Sequence, residues 1–324
     1  MENIILITGV AGFIASKTAE LLLNNGETVI GVDNMNDYYD VNLKKHRLEQ
    51  LRKYENFRFY LADIEDYSDL DVLFKKYNFQ AVLNLAARAG VRYSLENPYI
   101  YLSTNSLGTL NLLDLMRVYN VRKMVVASTS SLYAGQSMPF MESLPVNSPI
   151  SPYAASKKAA EVLAYTYHFQ FGLDISVVRY FTVYGPASRP DMAIFRFVKW
   201  IAEGKVIELN GNGSQSRDFT YIDDISTGTI AAMRSVGYEI INLGGGRNPV
   251  SIIEIIEKLE SLIGKKANIV YKPFHKADME KTWANIEKAN KLLNWQPKIG
   301  IDEGLKRTVE WYFQNQQLCS AIHI

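Results

Sequence analysis

The segment Ser151-Pro152-Tyr153-Ala154-Ala155-Ser156-Lys157 holds the residues whose types and spacing are best suited to chemistry. Proline suits the first turn of a helix, and a helix started there sets Tyr153 and Lys157 one turn apart on one face. A phenol titrates near pH ~10. An ammonium at ~4 Å in a medium of effective dielectric ~20 is worth up to ~4 kcal/mol, or ~3 pK units, which would make Tyr153 a base near neutrality. An ordinary amphipathic helix with a packed tyrosine and a solvated lysine has the same spacing, so the pair needs support from elsewhere in the chain.

That support begins at the amino terminus. Ile4 to Thr8 is an apolar run without alternation, the pattern of a parallel strand buried on both faces. It leads into Gly9-Val10-Ala11-Gly12-Phe13-Ile14-Ala15, a Gly-x-x-Gly-x-x-Ala turn that opens a helix carrying Leu21, Leu22 and Leu23. Glycines there allow a tight turn and close approach of a pyrophosphate to the helix N-terminus. Asp33 ends a second strand 24 residues after Gly9. A carboxylate at that point accepts hydrogen bonds from an adenosine ribose and repels a 2′-phosphate, so NAD is expected rather than NADP. The alternative for Asp33 is to cap its own loop.

Composition excludes several classes. With 35 basic and 34 acidic residues the net charge is +1, and no long basic run offers a nucleic-acid surface. Cys319 is the single cysteine, so no intramolecular disulfide or cysteine-rich metal site is possible. His46, His168, His275 and His323 lack ligand spacing, and no zinc is expected. The apolar run Ile4 to Ile14 is interrupted by Gly9 and Gly12 and is too short to span a bilayer. The expectation is a soluble cytoplasmic protein.

Strand and helix patterns alternate through the first half. Phe57 to Asp63 reads as a third strand, with Asp63 and Ile64 placed to edge the adenine and Asn34 also expected to bind the cofactor. Ala81 to Ala87 is a fourth, ending in Leu85, Ala86 and Ala87, where a cofactor can lie close. Pro98 to Asn120 reads as helical and contains Asn105. Lys123 to Ser128 is a strand with Thr129-Ser130-Ser131 at its carboxyl end, and Ile175 to Phe181 is another. The order predicts an α/β fold with a doubly wound parallel Rossmann sheet and a smaller α/β lobe at the carboxyl terminus. The dinucleotide-binding part is placed at 1–180 with part of 222–249, and the second lobe at 181–221 and 250–324. In that lobe Val250 to Gly264, capped by Ser251, and Asp302 to Gln314 read as helices. Arg179, inside a strand of buried pattern, is expected to be structural.

Taken together, the glycine turn, Asp33, Thr129-Ser130-Ser131 and Tyr153-x-x-x-Lys157 resemble an extended short-chain dehydrogenase/reductase of the nucleotide-sugar epimerase group. Asp33-Asn34-Met35-Asn36-Asp37-Tyr38-Tyr39-Asp40, Ala89 to Ser94, and Phe181 to Pro186 followed by Arg189-Pro190-Asp191-Met192-Ala193 are similar to UDP-glucuronate 4-epimerases. The resemblance implies retained NAD, with Val183 and Asn105 also at the cofactor, and a UDP-sugar bound by the second lobe. It further implies a homodimer built from helices near 100–119 and 153–171. Departures are Ala15, Asn84, Arg88, Ala134-Gly135 and His275.

The chemistry expected is reversible epimerisation at carbon 4 of UDP-glucuronate to UDP-galacturonate through a 4-keto sugar. Tyr153 would move the hydroxyl proton, Lys157 would stabilise the phenolate and hold the nicotinamide ribose, and Thr129 would bond the same sugar oxygen. Related dehydratases and decarboxylases carry carboxylates just after this threonine. Ser130 and Ser131 stand there instead, which leaves simple epimerisation. Arg217 would meet the diphosphate, or else pair with Asp218; Asp278 would accept from the uridine ribose, or be a plain loop carboxylate. Arg189 would meet the uronate carboxylate with Ser128, Ser130 and Thr182 as hydroxyl donors, or else pair with Asp191. UDP-glucose or UDP-N-acetylglucosamine epimerisation, a sugar-nucleotide reductase and a non-catalytic dinucleotide sensor remain as alternatives.

Overall fold

The computed structural model describes residues 3–247, 249–274 and 279–323. Its first half runs β1 (Ile4–Thr8), α1 (Phe13–Asn24), β2 (Thr28–Asp33), α2 (Val41–Leu51), β3 (Phe57–Leu61), α3 (Tyr67–Lys76) and β4 (Ala81–Asn84). A short α4 (Val91–Glu96) follows. Next comes one long helix, α5 (Tyr99–Tyr101), continued through π-helical Leu102–Leu107 into α6 (Gly108–Val118). β5 (Lys123–Thr129), α7 (Pro152–Phe171) and β6 (Asp174–Tyr180) complete this half.

These strands form a parallel sheet in the order β6-β5-β4-β1-β2-β3. They pair this way because their apolar runs can be buried on both faces. Ile5 and Ile7 enter the core on one side of the sheet, and Leu6, Ile30, Val82 and Val126 enter it on the other. Each such side chain contributes roughly 1.5–3 kcal/mol on burial. The strand order turns back on itself between β1 and β4, and the carboxyl ends diverge there into a crevice. The third and fourth strands end at Leu61 and Asn84, a few residues before the sequence reading placed them. Their last residues instead line the crevice as loop.

Helix α7 is set by local signals. Ser151 Oγ accepts from Ala154 N at 3.2 Å, Pro152 fills the first turn, and Gly172 ends the helix in the left-handed conformation at φ 66°. Its buried face carries Ala154, Ser156, Lys157, Ala160, Glu161 and Ala164, so two ionisable residues are packed against the sheet. Such burial requires partners for both.

The remainder is β7 (Thr182–Tyr184), α8 (Ala193–Glu203), β8 (Val206–Asn210), β9 (Ser216–Arg217), β10 (Phe219–Tyr221), α9 (Ile222–Ala231), β11 (Tyr238–Leu243), β12 (Val250–Ser251), α10 (Ile252–Ile263), β13 (Asn268–Lys272), α11 (Glu287–Leu293), α12 (Ile301–Gln314) and α13 (Gln316–Ala321). β11 joins β6 as the seventh parallel strand. The other pairs are small: β7 with β10, β9 with β12, and β8 with β13. Asp218 ties these pieces together. It is 2% exposed and accepts backbone N–H groups of Gly246 at 3.1 Å and Ala284 at 2.9 Å.

Candidate active site

A cleft of about 1310 Å³ runs from the glycine turn along the carboxyl ends of the strands into the second lobe. Gly9 sits at φ +68°, and a Cβ there would lie 2.7 Å from Ala86 Cα, so only glycine fits between β1 and the wall formed by Leu85, Ala86 and Ala87. Gly12 N donates to Gly9 O at 2.7 Å and closes the turn. Asp33 takes Ala11 N at 3.1 Å on one oxygen and Met35 N at 2.8 Å on the other, so it organises the glycine turn while lining the cleft. At the same end Asn34 Nδ2 donates to Asp63 at 2.6 Å, and Phe13, Ile14, Ile64 and Val183 complete the lining. The residues present therefore fit a dinucleotide: a glycine cradle at a helix N-terminus, a carboxylate at the second strand's end, and a small-residue wall.

Asn105 does not reach this cleft. It is 1% exposed, and its amide holds Arg88 N and Arg88 O at 2.9 Å each and Ser156 Oγ at 2.9 Å. Its amide is consumed in fixing the Arg88 loop to α7, so it supports the wall from behind. Asn84 is likewise satisfied internally, between Thr8 Oγ1 at 2.8 Å and Thr109 Oγ1 at 2.9 Å.

At the centre of the cleft, Thr129 and Tyr153 come together from β5 and α7. Thr129 Oγ1 also accepts Ser131 N at 3.1 Å and starts a short 3-10 turn over Ser130–Tyr133. Burial raises the Tyr153 phenol above its ordinary value, opposed in part by a hydrogen bond with Thr129 and by the charge of Arg189. This differs from the expectation of a phenol depressed by Lys157. The physical reason is that the Lys157 ammonium is turned onto Ala127 O at 2.8 Å, while burial pushes its own pKa down to about 8 against the raising influence of Glu161.

Ser128 lines the cleft, but its hydroxyl donates to Glu161 Oε1 at 2.7 Å. Its proton points away from a ligand, so it can accept there but not donate, contrary to the donor role expected for it. Glu161 is held in turn by Arg179, whose Nε and Nη2 reach its two oxygens at 2.8 and 2.7 Å. Arg179 is thus structural. The carboxylate that lies behind Ser128 is neutralised, and Ser130 and Ser131 bring hydroxyls only.

The second-lobe side of the cleft is rich in arginine. Arg189 makes a fork onto Asp191 through Nε at 3.0 Å and Nη2 at 2.6 Å, and its guanidinium lies 5.5 and 5.9 Å from the ring centres of Tyr38 and Tyr39. The Asp191 pairing is present, and the same arginine bears on Tyr153. Arg217 donates from Nη1 to Ser216 O at 2.9 Å and to Glu280 O at 3.3 Å, while Asp218 serves the glycine run. Thr182 and Ser130 also line the cleft. Asp278 lies outside the described residues. Arg196 and Trp200 escaped sequence reading. They stack one turn apart on α8 at 4.4 Å, and the buried Arg196 Nε has no hydrogen-bond partner among the described residues. The signal available was their i, i+4 spacing on an amphipathic helix. A separate groove of about 430 Å³ beside β11, lined partly by Glu142, Tyr238 and Lys288, contains none of the candidate residues.

The parallel sheet with a glycine turn at its reversal point, facing a threonine, a tyrosine and a lysine, defines a Rossmann-type fold with the site plan of the short-chain dehydrogenases and reductases. The chain belongs to the GDP-mannose 4,6 dehydratase family, whose profile matches residues 6–308. It is 62% identical over 319 residues to a UDP-glucuronate 4-epimerase of Thermodesulfobacterium geofontis, covering 98% of this chain and 99% of that one. Among solved structures it is similar to the UDP-glucuronic acid 4-epimerase of Bacillus cereus in complex with UDP-glucuronic acid and NAD. There the TM-score is 0.89 at 36% identity, over 96% of this chain and 99% of that chain. A UDP-glucose 4-epimerase of Thermotoga maritima with UDP-glucose matches with a TM-score of 0.87 at 31% identity, over 97% and 99%.

Proposed function

We propose that this chain is an NAD-dependent UDP-glucuronate 4-epimerase. The observation that carries the reading is that Arg189 and Tyr153 line one cleft, where the charge of Arg189 bears on the phenol. A proton-transfer group and a cation so arranged suit a sugar whose carbon 4 hydroxyl and carbon 5 carboxylate are adjacent. The named relatives support the same substrate.

NAD, when bound, supplies the hydride acceptor and donor. Gly9 and Gly12 would receive its pyrophosphate, Asp33 its adenosine ribose, and Lys157 its nicotinamide ribose. Tyr153 takes the proton of the carbon 4 hydroxyl at its phenolic oxygen and returns it once the 4-keto sugar has turned over and taken the hydride back on its other face, so no net redox change results. Thr129 orients that oxygen, and the charge of Arg189 favours the phenolate, while Lys157 is turned onto Ala127 O. Arg189 fixes the carboxylate. Held in place, the β-keto acid formed on oxidation is kept from losing carbon dioxide. Arg217 would meet the diphosphate from the lobe at 181–221 and 250–324, and Asp278 would accept from the uridine ribose.

A homodimer is part of the proposal. Val162, Tyr165 and Phe169 form an exposed stripe on α7, and Tyr99, Leu102 and Leu107 are exposed on the neighbouring helix. Apolar surface of this extent marks an interface, and a second copy matches it by symmetry. Sedimentation should show Phe169→Glu as a monomer where the parent is a dimer; a parent monomer would end this part. No helix among the described residues is long and apolar enough to cross a membrane, and a cytoplasmic setting is proposed.

The test of function is Arg189→Ala. A charge-assisted hydrogen bond is worth about 1.5–3 kcal/mol, so turnover of UDP-glucuronate should fall by about 10- to 150-fold. Turnover of UDP-glucose should fall far less, and a pentose product should appear. Equal losses on both sugars would refute the role given to the carboxylate.

A further inference from the structure

The segment after β2, Asp37-Tyr38-Tyr39-Asp40, has no part in the chemistry above, yet it sits against the arginine that does. Its neighbour Arg47 on α2 is 4% exposed. All three of its guanidinium nitrogens donate: Nη1 to Ala11 O at 2.9 Å and Tyr39 Oη at 2.7 Å, Nε and Nη2 to Ala187 O at 3.0 and 2.7 Å. No carboxylate among the described residues pairs with it. A buried cation met only by neutral oxygens is a costly arrangement that a packed aliphatic side chain would avoid. What it achieves is geometric.

Ala11 lies between Gly9 and Gly12, and Ala187 lies two residues before Arg189. Ala187 stands at φ +53°, a conformation a non-glycine residue keeps only where its surroundings impose it. Tyr38 and Tyr39 then flank the Arg189 guanidinium, and Tyr38 is itself anchored by donating to Ala89 O at 2.5 Å. The arginine is thereby oriented by two rings and the Asp191 fork, and its loop is tied through one side chain to the glycine turn.

We propose that Tyr39 and Arg47 are positioning residues for Arg189, coupling the dinucleotide turn to recognition of the sugar's carboxylate. This rests on the reading that Arg189 meets that carboxylate. It predicts that Arg47 acts on acid sugars only through Arg189.

The test is a binding cycle on NAD-loaded protein by calorimetry, with Arg47→Met, Arg47→Lys and Tyr39→Phe each crossed with Arg189→Ala. UDP-glucuronate and UDP-glucose serve as probes. Arg47→Met should weaken UDP-glucuronate about fivefold or more and UDP-glucose less than about twofold, with Arg47→Lys between parent and Met. In the Arg189→Ala background neither Arg47 change should alter UDP-glucuronate affinity. Equal weakening of both sugars, or an undiminished effect without Arg189, would overturn the coupling. If Arg189→Ala alone leaves the preference between the sugars unchanged, the functional reading fails and the inference with it, a result distinct from the former. Should Arg47→Met not fold, Tyr39→Phe removes a single hydroxyl and is judged the same way: a loss specific to the acid sugar and absent without Arg189 supports the coupling, and any other pattern refutes it.

Discussion

Glu161 gives the sharpest handle on the proton chemistry. It lies one turn beyond Lys157 on α7, is 1% exposed, and holds Arg179 and Ser128. Its charge raises Lys157, which burial has pushed down to about 8. Side chains four apart on a helix have Cβ atoms ~5–6 Å apart, and unit charges ~6 Å apart at an effective dielectric of ~20 interact by ~2.8 kcal/mol, or ~2 pK units. Arg179 is in contact with Glu161 and opposite in sign, so it offsets part of this. Removing Glu161 alone would strand a buried arginine at a cost of about 3–5 kcal/mol, so the better perturbation is Glu161→Leu with Arg179→Met, which removes both charges. The proton on Lys157 is lost as pH rises through its pKa, and turnover should fall with it. The alkaline limb of kcat, measured from pH ~6 to ~10, should therefore move down by less than ~2 units in the double variant, with NAD retention checked by mass spectrometry. An unmoved limb, or one displaced upward, would refute the assignment of that limb to Lys157.

Two further outcomes follow from the same geometry. Tyr153→Phe should lower kcat by about 10²–10⁴-fold with little change in NAD content or melting temperature, since it removes one hydroxyl; near-parental turnover would end the mechanism. Asp218 is raised by burial from 3.8 to about 6, against the backbone hydrogen bonds it accepts from Ala284 and Gly246. Its ionisation therefore subtracts stability above pH ~6, by about 3 kcal/mol at 1.36 kcal/mol per unit, and this penalty disappears as pH falls toward ~4. Urea unfolding should show the parent gaining on Asp218→Asn between pH ~7 and ~4, and a constant difference would contradict the burial argument.

The sheet was legible because its strands are buried on both faces and so read as unbroken apolar runs, as in Ile4 to Thr8. The Tyr153 helix was legible because Ser151, Pro152 and Gly172 are local signals. Side-chain partners were not. Arg47 stands in Lys44-Lys45-His46-Arg47 and looks like one more solvated charge; its partners lie at residues 11, 39 and 187. Asn105 carries a polar amide toward the site in sequence, but the fold spends that amide on Arg88 and Ser156. The donor direction of Ser128 depends on Glu161, 33 residues away. In each case the missing information was a long-range contact, which local spacing does not encode.

The π-helical stretch Leu102–Leu107 has a consequence for how this site can change over generations. A π turn closes its hydrogen bonds over one more residue than an α turn, so the helix before it is out of phase with the helix after it by about one residue, or about 100°. Upstream, Tyr101 meets Tyr153 edge-on at 6.1 Å; downstream, Leu112 and Leu113 enter the core. Deleting a single residue between them would let the helix heal into regular α form and rotate Tyr101 away from Tyr153 while Leu112 and Leu113 stayed in place. A lineage can thus remove or restore the packing behind Tyr153 by a change of length alone, with every core residue and every catalytic side chain unaltered in type.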